Sequence, residues 1–454
     1  MQIFIRKWSE VSGGRFDPKF LNYTNKIRAK FPITFLNNLL KSNPMYGANE
    51  AGISRTSESQ PRYIRITDID DFGCLKDGLG ATAQTIQAQY MLEENDILFA
   101  RSGATVGKTY IHRNIGYESF FAGYMIKFRV DSSKISPYFV FLYTQLDIYK
   151  EWVKAIQRAS AQPNINAEEY KNLLVPIPPK EIQQQIINIM DNAYLLKAQK
   201  ENEAKNILDS IDSYILDELG IALPCKNTDL RHRIYTTKLS SISGKRFDCE
   251  YYQIYYNELK KSLIEGKYKL EKINQLMDNI RIISKPYEEE IIYIEIGDIN
   301  VENAIINLKS MKLKDLPNNS KIYIKQGDLL ISKVRPNRKA IAIYNEKDRA
   351  YCTSAFCVLR ENGKYKKELL QYLLRTNILN ALIVRNVTGS TYPTINDIDI
   401  LNLEIPLPPI EIQQKIVDEI NERKKKSLNL QKEAKDILEY AKMQVEKIIL
   451  GEEQ

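Results

Sequence analysis

The amino-acid sequence contains one long pattern twice. Residues 175–185 read Val-Pro-Ile-Pro-Pro-Lys-Glu-Ile-Gln-Gln-Gln, and residues 405–415, 230 positions later, read Ile-Pro-Leu-Pro-Pro-Ile-Glu-Ile-Gln-Gln-Lys. Other segments recur in the same order at offsets of 230 to 232 residues: 15–17 with 246–248, 63–69 with 293–299, 95–98 with 327–330, 163–166 with 393–396, and 203–208 with 433–438. A unit of this length is too long for a solenoid repeat, so each copy should contain at least one full domain.

Each copy divides into a strand-rich part and a helical part. Short runs of alternating or continuous apolar residues, such as 63–69 and 120–130, predict strands. Helical patterns occur near 137–157 and 366–384. A double proline ends the strand-rich part of each copy, and a glutamate soon after it suits the positive end of a helix. We therefore predict an α+β fold with two tandem mixed α/β domains and two long helices.

Each predicted long helix carries a narrow apolar stripe with spacings of three and four residues, which is typical of a helix pair. The candidate interface residues are Ile182, Ile186, Ile189, Leu196, Ile207 and Ile211 in the first helix, and Ile412, Ile416, Ile420, Ile437 and Ile448 in the second. Packing of each helix on its own domain alone is the alternative. The presence of two long copies favours pairing, and pseudo-twofold symmetry of a duplicated chain makes the pair an antiparallel coiled coil.

Four segments follow from this pattern. The first α/β domain covers residues 1–174, the central long helix 175–221, the second α/β domain 222–404, and the C-terminal long helix 405–454. A helix of about 40 residues is about 60 Å long. We expect one α/β domain at each end of this helical rod.

Composition excludes several classes. The net charge of +8 is a mild indication of polyanionic partners. Five cysteines without a Cys-x-x-Cys pair indicate neither a disulfide framework nor a zinc site. The two histidines, His112 and His232, lie beside arginine and are interpreted as solvated. The sequence has no apolar run of membrane-spanning length and no signal-peptide core at its start, so we expect a cytoplasmic protein without membrane association.

The duplicated proline–helix segments with two intervening domains resemble the specificity subunit of type I restriction–modification enzymes. Three shorter segments look like the target recognition domains of that family: Met-Tyr-Gly-Ala-Asn at 45–49, Arg-Ser-Gly-Ala-Thr-Val-Gly-Lys at 101–108, and Gln-Pro-Asn-Ile at 162–165. The resemblance covers nearly the whole chain, and the duplicated motif at this spacing is its most specific part.

This resemblance implies that each α/β domain is a target recognition domain that reads one half of a split, asymmetric site in double-stranded DNA. The long helices would fix the spacer and dock two methyltransferase subunits, and through them restriction/translocase subunits. Apolar residues on their outer faces, such as Ile187, Leu195 and Ile215, suit such docking. The chain itself would be non-catalytic and bind no cofactor. The complex would be an adenine-N6 DNA methyltransferase and an ATP-dependent site-specific deoxyribonuclease, with S-adenosylmethionine, ATP and Mg²⁺ on the partner subunits.

Basic loops that follow a predicted strand in both copies are candidate DNA contacts, because arginine and lysine bind phosphates and base edges. The candidates are Tyr46, Arg101, Ser102, Thr105, Lys108 and Gln162 in the first copy, and Lys333, Arg335, Asn337, Arg338, Lys339, Ser390 and Tyr392 in the second. Solvated hairpin loops are the alternative for the same segments.

Two segments resemble enzyme motifs and keep other function classes open. Residues 103–109 resemble a P-loop, but three residues separate the glycines where a P-loop has four. Asn-Pro-Met-Tyr at 43–46 resembles the Asn-Pro-Pro-Tyr of adenine methyltransferases, but its third residue differs and a turn is favoured. The alternatives to DNA recognition are therefore an enzyme with a nucleotide site at 101–109 and a scaffold that binds only protein.

Overall fold

The structure, a computed structural model, describes residues 23, 29–113, 115–156, 163–226, 229, 234, 236, 238–242, 246, 248–283, 289–317, 321–388 and 392–451. The chain divides into two compact units. Unit 1 comprises Met1–Asn202 and Leu430–Gln454, and unit 2 comprises Glu203–Asn429. Both divisions fall inside the long helices Lys180–Leu219 and Ile410–Leu450, so each helix contributes a part to each unit.

The described α-helices are numbered in chain order. They are α1 (Pro137–Tyr143), α2 (Asp147–Ile156), α3 (Ala167–Lys171), α4 (Lys180–Leu219), α5 (Leu239–Ile242), α6 (Ile254–Ile264), α7 (Ile273–Leu276), α8 (Lys367–Arg375), α9 (Asn377–Arg385), α10 (Asp397–Leu401) and α11 (Ile410–Leu450). Short 3-10 turns cover Leu36–Leu39, Ile66–Asp68, Ala88–Tyr90, Gly103–Thr105, Glu250–Tyr252, Ile296–Asp298, Leu313–Asp315 and Pro336–Arg338.

The strands of unit 1 form three sheets among its described residues. They are β1 (Ile33–Phe35), β2 (Met45–Tyr46), β3 (Ile53–Ser54), β4 (Arg62–Ile64), β5 (Ala81–Thr82), β6 (Asp96–Ala100), β7 (Thr109–Ile111), β8 (Ser119–Phe121), β9 (Met125–Arg129) and β10 (Leu174–Pro176). The strand orders are β1-β10, β2-β9-β6-β7 and β3-β5-β4-β8.

The strands of unit 2 form four sheets among its described residues. Its strands are β11 (Leu270–Lys272), β12 (Met277–Asn279), β13 (Glu290–Ile294), β14 (Ile299–Asn300), β15 (Ile305–Ile306), β16 (Ser310–Lys312), β17 (Lys321–Ile324), β18 (Leu329–Ser332), β19 (Ile341–Ile343), β20 (Ala350–Thr353), β21 (Phe356–Glu361) and β22 (Glu404–Pro406). The strand orders are β11-β22, β12-β21-β18-β19, β16-β13-β20-β17 and β14-β15.

The two units share their central topology. The order β2-β9-β6-β7 in unit 1 matches β12-β21-β18-β19 in unit 2. Each unit also pairs two strands in parallel, Tyr63 with Phe120 in unit 1 and Tyr293 with Tyr351 in unit 2. The predicted α+β fold and internal duplication are therefore confirmed.

One predicted strand is shorter than its sequence pattern. The run 120–130 is interrupted by a turn between β8, which ends at Phe121, and β9, which begins at Met125. A Cβ atom at Gly123 would lie 2.2 Å from Asn49 Oδ1, so the chain passes too close to its neighbour there for a side chain. Apolar periodicity does not reveal such a close approach.

The repeated Asp-Ile/Leu-Leu segment marks a buried ion pair in each unit. Asp96 has no exposed surface, and its carboxylate accepts from Arg129 Nε at 2.8 Å and Nη2 at 3.0 Å. Asp328 is equally buried and accepts from Arg360 Nε at 2.7 Å and Nη2 at 2.8 Å. A buried carboxylate needs such a partner, so this part of the repeat reflects folding.

The long helices complete the hydrophobic core of each unit. In unit 1 a single cluster includes Phe99, Phe128 and Trp152 of the α/β domain, Ile186 and Met190 of α4, and Leu438 and Val445 of α11. In unit 2 the corresponding cluster includes Leu329, Leu359 and Leu373 of the α/β domain, Ile215 and Leu219 of α4, and Ile416 and Ile420 of α11. Within each unit, both helices thus pack on the same α/β domain.

The helices also contact each other. In unit 2 the contacts join Lys415 Nζ to Glu218 Oε1 (3.2 Å), Arg423 Nη1 to Ser210 Oγ (2.9 Å), and Ser427 Oγ to the carbonyl O of Ala204 (3.0 Å). The numbers rise along α11 as they fall along α4, which confirms antiparallel pairing. In unit 1, Lys200 Nζ lies 2.8 Å from Glu433 Oε2.

The buried face of the helices is wider than the predicted stripe. Among the candidate interface residues, Ile186, Ile416 and Ile420 are buried, and Ile182, Ile189, Ile207, Ile211, Ile412, Ile437 and Ile448 are half-buried. Leu196 is 37% exposed, whereas Met190 is fully buried. The α/β domain covers a second side of each helix, which a helix-pair stripe does not include.

Two interpretations from the sequence are wrong. Ile215 does not lie on an outer face, because it is fully buried in the core of unit 2. His112 is not solvated; only 6% of it is exposed, and its Nδ1 lies 3.1 Å from the hydroxyl of Tyr110. His232 lies outside the described residues. No helix among those that the structure describes is long and apolar enough to cross a membrane.

Candidate nucleic-acid interface

The basic loop of the first copy, residues 101–108, connects the antiparallel strands β6 and β7. It makes a 3-10 turn over Gly103–Thr105. Gly103 has a φ of +78° and Gly107 a φ of +89°. Both values lie in the left-handed region, which glycine adopts without the steric cost that a Cβ atom imposes.

The matching loop of the second copy, residues 333–340, connects β18 and β19 and turns over Pro336–Arg338. Its left-handed residues are Arg335, with a φ of +49°, and Lys339, with a φ of +56°. The two loops therefore share a left-handed backbone at two matching positions, where basic residues in the second copy replace the glycines of the first. The left-handed backbone explains why glycine occupies positions 103 and 107, without a role in binding phosphate.

This geometry differs from that of a nucleotide-binding P-loop. A P-loop leads from a strand into the N-terminus of a helix, whose N–H groups bind phosphate. Residues 101–108 lead instead from β6 into the antiparallel strand β7 through a three-residue 3-10 turn. The backbone gives no support to a nucleotide site at 101–109.

Both loops are held against the segment around the repeated proline. Matching backbone hydrogen bonds run from Gly103 N to Pro163 O (3.0 Å), Ile165 N to Arg101 O (2.8 Å), Arg335 N to Pro393 O (2.7 Å) and Ile395 N to Lys333 O (2.9 Å). By these bonds Arg101 corresponds to Lys333, and Gly103 corresponds to Arg335. The repeated Pro-x-Ile-Asn motif thus supports the hairpin loop in each copy.

Arg101 lies over the ring of Tyr46, with its Cζ 4.9 Å from the ring centroid. Tyr46 does not belong to the turn that the Asn-Pro segment predicts, because it lies in β2 and pairs with Ile126 of β9. Its hydroxyl accepts a hydrogen bond from Ala167 N at 3.1 Å, and 40% of the residue is exposed. Tyr46 therefore orients a guanidinium at the edge of the hairpin loop.

A second arginine–tyrosine pair lies at the loop of the second copy. Arg335 Cζ is 5.3 Å from the ring centroid of Tyr392, which is 67% exposed. Tyr392 precedes the repeated Pro393, whereas Tyr46 lies in β2. Both copies thus present an arginine on a tyrosine ring, but with different side chains in different positions, which suits recognition of different surfaces.

The remaining candidates differ in exposure. Ser102, Thr105 and Lys108 are half-buried, Asn337 and Arg338 are exposed, and Gln162 and Ser390 lie outside the described residues. Lys339 Nζ donates to Asn377 Oδ1 at 2.9 Å, and burial lowers the pKa of this lysine. Lys339 therefore contacts its own unit.

Two candidate lysines form ion pairs within their own unit. Lys108 Nζ lies 2.9 Å from Asp71 Oδ1 and holds the pKa of that carboxyl below its usual value. Lys333 Nζ lies 2.9 Å from Asp397 Oδ1. These lysines already have a carboxylate partner in the free chain, so Arg101 and Arg335 are better placed for a ligand.

Tyr124 is a candidate that sequence reasoning missed. It is 69% exposed in the turn between β8 and β9, and its carbonyl O accepts from Arg101 N at 3.0 Å. Tyr124 has no basic neighbour in sequence. The only signal for it is a tyrosine beside Gly123 inside an apolar run.

Comparison with known proteins bears on the repeated domains. The family described as "Type I restriction modification DNA specificity domain" matches residues 74–206 and 265–440, which is more than half of the chain. This chain belongs to that family. The matches fall once in each copy, and the family is described by DNA specificity and not by a catalytic activity.

Two relatives that are named as specificity subunits match this chain over different lengths. The type I restriction enzyme HindI specificity subunit of Haemophilus influenzae is 30% identical over 151 residues, 32% of this chain and 33% of that one. The MjaVIII specificity subunit of Methanocaldococcus jannaschii is 20% identical over 391 residues, 83% of each chain. The chain thus matches about a third of the first relative and most of the second.

One solved structure supports the same fold. It is described as showing the structural basis underlying complex assembly and conformational transition of the type I R-M system. Its TM-score is 0.54 at 14% identity, over 92% of this chain and 98% of that chain.

Proposed function

We propose that this specificity chain selects a bipartite, asymmetric site in double-stranded DNA, with one half-site read by each copy. The observation that carries the proposal is the basic hairpin loop, which is left-handed at the same two positions in both copies and has a differently built arginine–tyrosine pair in each. The two loops present different side chains from matching positions, so each copy can recognise a different DNA sequence.

The chemistry of the two pairs suits base recognition. An arginine guanidinium donates two hydrogen bonds to the O6 and N7 atoms of guanine in the major groove. A guanidinium that already lies on a tyrosine ring has lost part of its rotamer freedom, so less entropy is lost on binding. Arg338, which is exposed beside Arg335, suits a phosphate contact that adds salt-sensitive affinity.

The long helices are proposed to dock two methyltransferase subunits, and through them restriction/translocase subunits. Large apolar side chains remain exposed on them, Leu195 (58%), Tyr440 (58%) and Met443 (48%) in unit 1 and Leu428 (66%) in unit 2. Burial of such residues by a partner stabilises an interface. The catalytic groups, with S-adenosylmethionine, ATP and Mg²⁺, would belong to these partners, and the assembled complex would methylate adenine N6 and cleave DNA.

The test of DNA selection uses the chain co-expressed with its methyltransferase subunit. The purified assembly is incubated with random-sequence duplexes, and bound DNA is sequenced. Enrichment of one split sequence with a constant spacer is the expected result. Enrichment without any sequence preference would contradict the proposal.

Docking and cofactor binding are tested on the same material. Co-expression should raise the soluble yield of the chain and give co-purification, whereas equal solubility without co-purification would exclude the docking role. The chain alone should not bind ATP. Binding of ATP that Lys108→Ala abolishes, with unchanged DNA affinity, would favour the nucleotide-site alternative.

A further inference from the structure

The turn Asp70–Cys74 in unit 1 is closed by the carboxylate of Asp70 and by one backbone hydrogen bond. Asp70 Oδ1 accepts from Phe72 N at 2.9 Å and from Cys74 N at 2.8 Å, and Asp70 N donates to Cys74 O at 2.9 Å. A Cβ atom at Gly73 would lie 2.7 Å from the ring of Phe141. The turn is therefore closed by its own hydrogen bonds and packs on the α/β domain at Phe141.

One side of this turn contacts the hairpin loop. Asp71 Oδ1 lies 2.9 Å from Lys108 Nζ, and the same ammonium donates to the carbonyl O of Ile69 at 3.3 Å. Lys108 is the last residue of the loop before β7, so the turn and the loop are joined where the loop ends.

The other side of the turn contacts both long helices. The ring centroid of Phe72 lies 4.4 Å from Lys197 Nζ of α4 and 5.5 Å from Lys442 Nζ of α11. The side chains of these lysines are only 14% and 8% exposed. Cation–π contacts are stronger when the cation is partly removed from water. A single ring thus joins the α/β domain to both helices within unit 1.

We propose that Asp71 and Phe72 are positioning residues that set the hairpin loop 101–108 relative to the helix pair. They would thereby set the distance between the half-site read by the first copy and the other half-site. This inference rests on the proposed function. Neither residue needs to touch DNA, because Asp71 acts through Lys108 and Phe72 acts through the helices.

Unit 2 joins the matching turn, the hairpin loop and α4 with different residues. Arg375 donates to the carbonyl O of Val301 at 2.6 Å and of Lys339 at 2.7 Å, which links the segment after β14 to the hairpin loop. Asn377 N donates to Asp212 Oδ2 of α4 at 3.2 Å. Each unit thus connects its hairpin loop to a long helix, but through different residues. This supports the inference that these contacts position each loop relative to the helices.

The experiment compares Phe72→Leu with Phe72→Trp in the full chain assembled with its methyltransferase subunit. Binding is measured on duplexes that carry both half-sites at the preferred spacer, or at a spacer one base pair shorter or longer. Phe72→Leu should retain the sequence choice at each half-site and lower the preference for the native spacer about 5- to 30-fold, which corresponds to the loss of two cation–π contacts. Phe72→Trp keeps a ring for both lysines and should retain the preference.

Three results would overturn the positioning role. They are an unchanged spacer preference in Phe72→Leu, an equal loss in both variants, and a loss of all binding that Phe72→Trp does not restore. In the free chain, amide hydrogen exchange of residues 100–108 should increase in Phe72→Leu and not in Phe72→Trp. This hydrogen-exchange measurement needs no DNA. If the wild-type assembly showed no sequence preference, the proposed function would be wrong, but hydrogen exchange would still test whether Phe72 positions the hairpin loop.

Discussion

Gly103 and Arg335 occupy the same position of the duplicated hairpin loop, and both have a left-handed backbone. The φ angles are +78° and +49°, and each N–H donates to the carbonyl O of the repeated proline, Pro163 or Pro393. The first copy adopts this conformation at a glycine, and the second adopts it at an arginine. A left-handed backbone costs free energy at an arginine but not at a glycine. Arg335 lies at a proposed DNA contact, so we infer that the function of its side chain outweighs this cost in stability.

The two positions should respond oppositely to substitution. Gly103→Ala should lower the free energy of unfolding of unit 1 by about 1–2 kcal/mol, the cost of a left-handed alanine. A Cβ atom there meets nothing within 4 Å, so sterics with neighbours do not contribute. Arg335→Gly should leave the stability of unit 2 unchanged or raise it by up to about 1 kcal/mol, while DNA affinity falls. Thermal unfolding of both variants checks this, and a less stable Arg335→Gly would contradict the strain argument.

Loss of the guanidinium beside Asp96 should destabilise unit 1. Arg129→Ala leaves a carboxylate with no exposed surface without its bidentate partner, which we expect to cost about 2–4 kcal/mol. Lys150→Ala is the control, because the side chains of Lys150 and Asp147 are 48% and 66% exposed in their ion pair, and its loss should cost less than about 1 kcal/mol. Denaturant unfolding measures both, and equal effects would show that burial of Asp96 does not decide the cost.

His112 should make unit 1 sensitive to acid. Burial lowers the pKa of its imidazole below the usual 6.5, against the opposing effect of Asp96 and Glu94. The folded state thus favours the neutral ring, so its contribution to stability is complete above pH 6.5 and is lost as the pH falls through the lowered pKa. His112→Gln should therefore lose less stability than wild type between about pH 7.5 and about pH 5. Parallel curves of melting temperature against pH would contradict this.

Exchange of residues 222–404 for the corresponding domain of a relative should change one half of the selected DNA sequence. The second hairpin loop and its arginine–tyrosine pair lie inside this segment, whereas Arg101 and Tyr46 lie outside it. Sequencing of the DNA bound by the exchanged assembly gives the result. A change in both halves would show that the copies do not read independently.

The repeat predicted the large features of the fold because both copies keep the topology of one four-stranded sheet and one parallel strand pair. Shared topology, the antiparallel helix pair and the hairpin loops all follow from matching segments in the sequence. The burial of Met190 and Ile215 does not, since it depends on how an α/β domain covers each helix. The apolar stripe of one helix predicts the face that contacts the other helix. It does not predict the second face, which packs on the α/β domain.

The sequence predicted which loops form the candidate site, but not which of their basic side chains remain available to a ligand. A basic run identifies Arg101 and Lys108 equally, yet the structure places one on a tyrosine ring and the other beside Asp71. Neither partner is near in sequence, because Tyr46 and Asp71 lie more than 30 residues earlier in the chain than the arginine and lysine they contact, respectively. Long-range pairing of this kind decides which charges remain available to a ligand.

The central claim is that each copy reads its own half-site, and two single substitutions test it most directly. Random-duplex selection is performed with assemblies that carry Arg101→Ala or Arg335→Ala, with Lys150→Ala, an exposed helix residue paired with Asp147, as the control. Each arginine variant should relax the preference at one position in one half-site by about 1–3 kcal/mol and leave the other half intact. Selection of the wild-type sequence by both variants, or a loss of preference in both halves from one substitution, would contradict the account.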